Sequence, residues 1–246
     1  MSRLRVHAAP PAPPQRGLGL VELMLALAIG LFIAIGLVQQ FISLRSTERT
    51  VATLSQMQDQ QRMAMHFLRA AVNNAGSYTV VLDSSLPPPF PQASPFADNQ
   101  TWVGSGSSAS NSTLSVRFRA SSGDGLRGCA DSLSPDHVYS DTFQIVQDGA
   151  GTSYLGCAER DSTLGSSPAL RYLVAHVRAM QVRYGVDVEG TGSVSQYLYG
   201  DDVAARGLWP NVKTAQVSLE FDNLVSGPGQ PATLRLHETF AFMAAN

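Results

Sequence analysis

The chain has 246 residues, of which 44% are hydrophobic and 15% are charged, and its net charge is −2. This composition is sufficient for a sizeable core, and the absence of a basic excess argues against a nucleic-acid-binding surface. Three of the 17 basic residues precede residue 17, which leaves 14 basic and 19 acidic residues and a net charge of −5 for the rest.

A basic leader and a long apolar run open the chain. Residues 1–16 carry three arginines and no acid, and the run Leu18–Val38 contains a single charge, Glu22. About 20 apolar residues suffice to cross a bilayer. Basic residues before such a span direct the N-terminus to the cytoplasm, so the chain after about residue 41 is predicted to be periplasmic or extracellular. A carboxylate near the end of a span is costly, which calls for a partner.

The position of the small residue separates this segment from an ordinary signal peptide. A signal peptide is cleaved after its apolar region, whereas here Gly17 precedes the run and no such site follows Val38. Gly17 with Glu22 five residues later resembles the type IV prepilin (class III) signal. The resemblance implies that a membrane-bound prepilin peptidase cuts after Gly17 and methylates the amine of Leu18. The alternative is a plain membrane anchor in which Glu22 only marks the interface.

One helix is predicted from Leu18 to about Asn74, with residues 18–38 in the membrane. Pro is absent from this stretch, and Asn73–Gly76 is a helix stop signal. After residue 41 the sequence becomes polar, and apolar residues recur three or four positions apart, which predicts an amphipathic half that packs on another layer. These apolar residues are Val51, Leu54, Met57, Ala64, Phe67, Leu68, Ala71 and Val72.

Strand-like alternation follows a long connection. Residues 83–112 are rich in Pro, Ser and Gly and are predicted to be an irregular connection. Beyond them apolar and polar residues alternate, which predicts an antiparallel sheet with one covered face and one solvated face. A long helix followed by strands predicts an α+β fold, with the helix as the cover. The alternating segments are Leu114–Phe118, Phe143–Ile145, Met180–Val186, Ala215–Phe221 and Leu234–Phe242.

The chain has two cysteines, Cys129 and Cys157, and both follow the span. An even number in an oxidising compartment predicts a disulfide, which would contribute about 3 kcal/mol through the entropy of its loop. The alternative is a pair of buried free thiols.

The sequence gives little support for a metal-binding site or for a catalytic nucleophile. The five histidines are scattered outside metal-ligand spacings, and no GxSxG nucleophile motif is present. Asp187–Gly192 faintly resembles the start of a calcium loop, but its twelfth position is Leu198, so a solvated hairpin turn is favoured. We therefore predict neither an enzyme nor a cofactor or metal site.

Several later segments carry a family resemblance: Gln61–Arg69, Asn74–Gly76, Gly128–Cys129, Leu155–Cys157, Val177–Asp187 and Trp209–Lys213. They resemble the PilW-type minor pilins. The resemblance implies a pilin fold with a cleaved leader (1–17), a long helix (18–74) and a β-rich domain (75–246), and it implies that Cys129 and Cys157 pair.

The same resemblance implies a structural function. Members of the family are thought to assemble with other minor pilins at the inner membrane, prime polymerisation of the major pilin and sit at or near the pilus tip. The implied partners are those pilins, the prepilin peptidase, the assembly platform and a tip adhesin. Inside the bundle of apolar helices, Glu22 is expected to pair with the Leu18 amine of a neighbouring subunit. Two alternatives stay open: a minor pseudopilin of type II secretion, and a membrane-anchored periplasmic binding or adhesive domain that never polymerises.

Overall fold

A computed structural model describes residues 19–78, 90–129, 133–225 and 229–242. The chain divides into two compact units, Met1–Ala52 and Thr53–Asn246. The division falls within the first helix, α1 (Leu20–Asn74), so each unit contains one part of it. The predicted leader and its cleavage point after Gly17 lie outside the described residues.

The two parts of α1 differ in burial. Every described residue of the first unit, from 19 to 52, is exposed. In the second unit the helix buries a stripe with the predicted spacing, and all of its buried residues belong to this unit: Met57, Ala64, Met65, Leu68, Ala71 and Val72. The long helix and its amphipathic second half are therefore confirmed. The prediction was wrong for Val51 and Leu54, which are 59% and 42% exposed, so burial starts at Met57.

Helix α1 ends at the predicted stop signal. The Ala75 amide still donates to the Ala71 carbonyl (3.1 Å), and the Ser77 amide turns back to the Asn74 carbonyl (2.9 Å). Between them Gly76 adopts a φ of +78°, a left-handed conformation that glycine enters without steric cost.

Two antiparallel sheets follow α1 in the described residues. The first has the order β1-β2-β3-β4-β5 and the second the order β7-β6-β8-β9. The first-sheet strands are β1 (Trp102–Ser105), β2 (Thr113–Arg119), β3 (Val138–Gln147), β4 (Ser153–Asp161) and β5 (Ala169–Ala175). The second-sheet strands are β6 (Val177–Val186), β7 (Gln196–Tyr199), β8 (Val212–Asp222) and β9 (Thr233–Ala241). Helix α2 (Gly200–Ala205) and a 3₁₀ turn (Trp209–Asn211) lie between β7 and β8.

The chain passes from one sheet to the other at a single residue. His176 separates β5 from β6 and has a φ of +63°, and its carbonyl accepts the Asp222 amide (2.9 Å). The α+β layout with a long N-terminal helix is confirmed, but the prediction of one sheet was wrong in number. Alternation reports which face of a strand is apolar and carries no information on which strand is its neighbour.

A shared core joins the amphipathic part of α1 to both sheets. Leu68 is fully buried with Val116 of β2 and Val217 of β8, in a cluster that also includes Phe143 and Leu219. Because each layer buries its apolar face against the others, the helix and the sheets stabilise one another.

The prediction of an irregular connection over residues 83–112 was incomplete. Trp102–Ser105 forms β1, paired with β2 from Trp102↔Val116 to Ser105↔Thr113. Gly104 weakens the strand signal in the sequence, because glycine is uncommon inside strands. A glycine is needed at this position, since a Cβ would collide with the Tyr184 hydroxyl.

The prediction of a solvated outer face was also wrong for β2. Ser115 and Arg117, on its polar phase, are only 3% and 1% exposed. Residues 90–100 supply the atoms that bind Arg117, so part of the connection covers this face.

Candidate functional site

The predicted docking residue lies at the start of α1. The Gly19 carbonyl accepts the amides of Glu22 (3.0 Å) and Leu23 (3.2 Å), which forms the first helical turn. Glu22 is an exposed acid in that turn, where the positive end of the helix dipole favours a carboxylate. Gly17 and Leu18, the predicted processing residues, lie outside the described residues.

The helix after Glu22 is long and apolar enough to cross a membrane, judged by length and composition. Its apolar part is not buried by any of the described residues. Large side chains are exposed on it, including Leu31 (63%) and Phe32 (79%). A helix that is apolar and uncovered in this way requires lipid or other helices around it.

The predicted disulfide is present and joins Cys129 to Cys157, with their Cα atoms 6.2 Å apart. Cys157 is fully buried in β4, and Cys129 lies in the segment between β2 and β3. The bond therefore attaches this connecting segment to the middle of the first sheet. The free-thiol alternative is excluded.

Two buried carboxyl groups lie beside the disulfide. Asp141 of β3 and Glu159 of β4 are opposite each other in register and are 2% and 7% exposed. Asp141 Oδ2 accepts the Cys129 amide (3.1 Å), and Oδ1 lies 3.5 Å from Cys129 Sγ. Burial, reinforced by the neighbouring Glu159, raises the pKa of Asp141 to about 8, although the Cys129 amide opposes the shift.

These residues do not form a metal site in the oxidised protein. Cys129, Asp141 and Cys157 are the group of potential metal ligands found among the described residues. Both sulfurs are bonded to each other, and a thiolate is the form of cysteine that binds a metal.

A buried arginine organises the segment that covers β2. The Arg117 guanidinium donates to four backbone carbonyls, those of Phe90 (3.1 Å), Pro91 (2.7 Å), Ala97 (2.7 Å) and Gln100. It also lies 5.2 Å from the centre of the Phe90 ring and 5.0 Å from that of Phe96. Burial lowers the pKa of Arg117 to about 10, partly offset by Asp98, so the side chain stays charged at neutral pH.

An aromatic recess of about 500 Å³ lies between this segment and the second sheet. Trp102 stacks on Phe242 with ring centres 3.8 Å apart, and Trp209 meets Trp102 edge-on at 6.0 Å. Asp98 and Lys213 are among the polar residues of its lining.

The turn that resembles a calcium loop is held by its own backbone. The buried Asp187 carboxylate accepts the amides of Thr191 (3.0 Å) and Gly192 (2.7 Å). Asp201 of α2 accepts the Gly106 amide in the same way (2.9 Å). Both carboxylates therefore serve to fix turns, as the hairpin interpretation predicts.

The buried pair Asp141 and Glu159 and the buried Arg117 were not predicted from the sequence, although the positions of the two acids in their strands gave an indication. Asp141 lies on the same alternation phase as Phe143 and Ile145, and Glu159 lies on that of Cys157. Acids on the inward phase of a strand indicate a buried polar site. Arg117 gave no such signal because its phase was the one expected to face solvent.

Two known families match parts of the chain. The prokaryotic N-terminal methylation motif matches residues 13–38, which include Gly17, Leu18 and Glu22. With the long apolar helix and the antiparallel sheets, this match supports a membrane-anchored pilin. The family described as Type IV Pilus-assembly protein W, PilW, matches residues 142–237, from within β3 to within β9. Together the two matches support a minor pilin of the type IV pilus, with a role in pilus assembly.

No curated protein matches the chain significantly. The PilW family is a structural pilin family rather than an enzyme family, and the match to it supports interaction with other pilus components.

Proposed function

We propose that the chain is a minor pilin that takes part in initiating type IV pilus assembly and is incorporated at or near the pilus tip. One observation carries this proposal: the exposed apolar run at the start of α1, up to Val38, has its single charge, Glu22, in the first turn. Such a helix is compatible with lipid before assembly and with the helices of other subunits afterwards, because both surroundings are apolar.

The proposed topology follows from the charges around the span. The arginine-rich leader stays in the cytoplasm, residues 18–38 cross the inner membrane, and the β-rich domain lies in the periplasm until it enters the pilus. The prepilin peptidase removes residues 1–17 after Gly17 and methylates the new N-terminus at Leu18.

Glu22 is proposed to set the axial register of subunit docking. An unpaired carboxylate within a bundle of apolar helices would be strongly destabilising, and a positive amine close by offsets that cost. The Leu18 amine of a neighbouring subunit supplies such a charge. Since the pair forms at one axial offset between the helices, it selects that offset over others.

The docking role is tested by complementing a strain that lacks the native copy. Glu22→Ala should fail to restore the number of pili per cell, whereas Glu22→Asp should restore it in part. Leu23→Ala is the matched control, because it shortens an exposed neighbour without changing charge. Normal piliation with Glu22→Ala would show that docking does not depend on this carboxylate.

Processing is tested by the mass of the N-terminus. Pili purified from the wild-type strain should contain this chain starting at methylated Leu18, and Gly17→Trp should leave a precursor heavier by the leader. A chain found only in the membrane fraction, and never in pili, would instead support the non-polymerising alternative.

Initiation and tip location require separate readouts. Deletion should reduce the number of pili more than their length, and an epitope on the chain should label pilus ends. Other minor pilins should co-purify with it. If deletion abolished type II secretion and left pili intact, the pseudopilin alternative would be correct.

A further inference from the structure

Asp141 and Glu159, the buried carboxyl pair beside the disulfide, have no role in the pilus assembly proposed above. Burying two acids side by side costs free energy unless their protonation is coupled. The loop is closely fitted around them, since a Cβ at Gly128 would collide with Glu159 Oε2. Asp141 also contacts Cys129 twice, through the amide and through the sulfur.

We propose that the Asp141 carboxylate accepts the thiol proton of Cys129 when the Cys129–Cys157 disulfide forms, so that the fold contains a general base for its own oxidation. The contact of 3.5 Å between Asp141 Oδ1 and Cys129 Sγ is within hydrogen-bonding range for sulfur. In the reduced protein this sulfur carries a proton and the same contact becomes a donor–acceptor pair.

The thiolate is the nucleophile in disulfide exchange, so this proton must leave first. An ordinary carboxylate is too weak a base to take it, because its pKa lies about four units below that of a thiol at about 8.5. The buried pair removes this mismatch, since the pKa of Asp141 is raised to about 8. Proton transfer between groups of similar pKa is efficient near the working pH.

The reaction can be written with oxidised glutathione, a small-molecule disulfide, as the oxidant. Cys129 gives its proton to Asp141 and its thiolate attacks one glutathione sulfur, which releases the other glutathione as a thiolate. The Cys157 thiol, whose sulfur is also within 4.8 Å of the Asp141 carboxylate, then loses its proton and attacks the Cys129 sulfur. The second glutathione leaves, and the two protons end on the two glutathione thiolates.

Accessibility fixes the order of attack. Cys157 is fully buried, whereas Cys129 is partly exposed in its loop, so an external disulfide reaches Cys129 first. The sulfur that must be deprotonated first is thus the one that Asp141 contacts.

The strands beside the pair and the described part of the loop before Cys129 carry several charged groups. Asp141 faces the apolar Val116 on β2 and Glu159 on β4. Arg171 of β5 is opposite Cys157 in register, and Arg127 is exposed in the loop before Cys129. Farther along the sheet, Asp161 binds His137 Nδ1 (2.6 Å). Glu159 is therefore the acid in direct register with Asp141.

The test uses the full chain in detergent micelles, reduced and then exposed to oxidised glutathione, with alkylation and mass measurement at timed intervals. Asp141→Asn should slow attack by Cys129 by up to about fourfold at about pH 8, where a thiol with a pKa of about 8.5 is already about one quarter ionised without a base. The two rates should converge near pH 10, where the thiol ionises without help. If the carboxylate only repelled the thiolate, Asp141→Asn would react as fast as the wild type or faster, which would overturn the proposal.

Two further variants separate chemistry from folding. Glu159→Gln removes the neighbouring acid, so the midpoint of the wild-type pH profile should move to lower pH; an unchanged midpoint would contradict the role of the pair. Asp187→Asn removes another buried acid, which lies in the turn after β6, and should leave the rate within about twofold of wild type, as expected away from the reacting group. Slowing by Asp187→Asn equal to that by Asp141→Asn would mean that both act through loss of structure.

The reverse reaction covers the case in which a reduced variant does not fold. Dithiothreitol attacks the partly exposed Cys129 sulfur of the oxidised, folded protein and releases Cys157 as a thiolate. The second dithiothreitol thiol then closes the reagent's own disulfide and releases Cys129, and protonated Asp141 can neutralise either thiolate. Asp141→Asn should therefore slow opening as well as closure at about pH 7. Opening at the wild-type rate would contradict the proposal.

Discussion

The two parts of α1 belong to one helix, but their apolar side chains lie in different surroundings. Between residues 19 and 52 all residues are exposed, and Leu31 is 63% exposed. Beyond residue 52 the helix buries Met57 (4% exposed) and Leu68 (0%) within the domain core. The difference follows from how the apolar residues are arranged around the helix rather than from how many there are. A helix that is apolar all round suits lipid or other helices, whereas a helix with one apolar stripe packs against a single layer. The first part therefore requires surroundings that the described residues do not supply.

The comparison is tested most directly by making the same truncation in both parts. Leu68→Ala should lower the free energy of unfolding of the domain by roughly 3 kcal/mol, because it leaves a cavity in a fully packed site. Leu31→Ala should change it by less than about 0.5 kcal/mol. Urea unfolding of the full chain in detergent, followed by Trp102 and Trp209 fluorescence, measures both values. Equal losses would mean that the first part also contributes to the domain core.

Particular residues show how much of this could be predicted from sequence. The helix and its end were predictable because the apolar run is uninterrupted and Gly76 takes the left-handed position that a stop requires. Strand β2 was predictable from alternation. Strand β5 was not, because its residues from 169 to 172 are exposed and give no apolar phase.

The candidate sites divide in the same way. Glu22 and the cysteines could be picked out locally, since a lone charge in an apolar run and an even pair of cysteines are visible in the sequence. The environment of Arg117 could not, because its carbonyl partners are backbone atoms of a segment 17 to 27 residues away. Such contacts depend on the path of a connection, which residue type does not encode.

A charge in the exposed part should affect membrane insertion rather than domain stability. Leu31→Arg places a cation near the middle of the span, at a cost of about 3 kcal/mol. We expect a smaller fraction of the chain in membranes after carbonate extraction, with an unchanged unfolding curve. Leu54→Arg, on a side chain that is 42% exposed beyond the apolar run, is the control and should leave the membrane fraction unchanged. Full retention of Leu31→Arg would argue against a spanning helix.

The change of surroundings along α1 should be abrupt. Val51 is 59% exposed and Met57 is 4% exposed, less than two helical turns apart. Met57→Ala should therefore cost about 2 kcal/mol of domain stability. Val51→Ala should cost less than about 0.5 kcal/mol. Measuring the free energies of unfolding of the two variants under one set of conditions tests this boundary. Similar losses of stability in Val51→Ala and Met57→Ala would contradict a sharp change between the two positions.

The smallest expected effect concerns the charges at the edge of the packed part. Glu238 interrupts the apolar phase of β9, and the structure explains the interruption because Arg69 of α1 forms an ion pair with it. The Arg69 and Glu238 side chains are 55% and 28% exposed, so water screens much of their attraction. A double-mutant cycle with Arg69→Met and Glu238→Gln should give a coupling energy of about 0.5 kcal/mol, as for other exposed pairs. This value should fall further in about 1 M salt, where the screening length is near 3 Å.

The exposed Arg235–Glu220 pair (3.0 Å) joins β9 to β8 without the helix and provides the matched cycle. A coupling above about 2 kcal/mol for Arg69–Glu238 alone would mean that charge, and not only the apolar stripe, holds α1 against the second sheet.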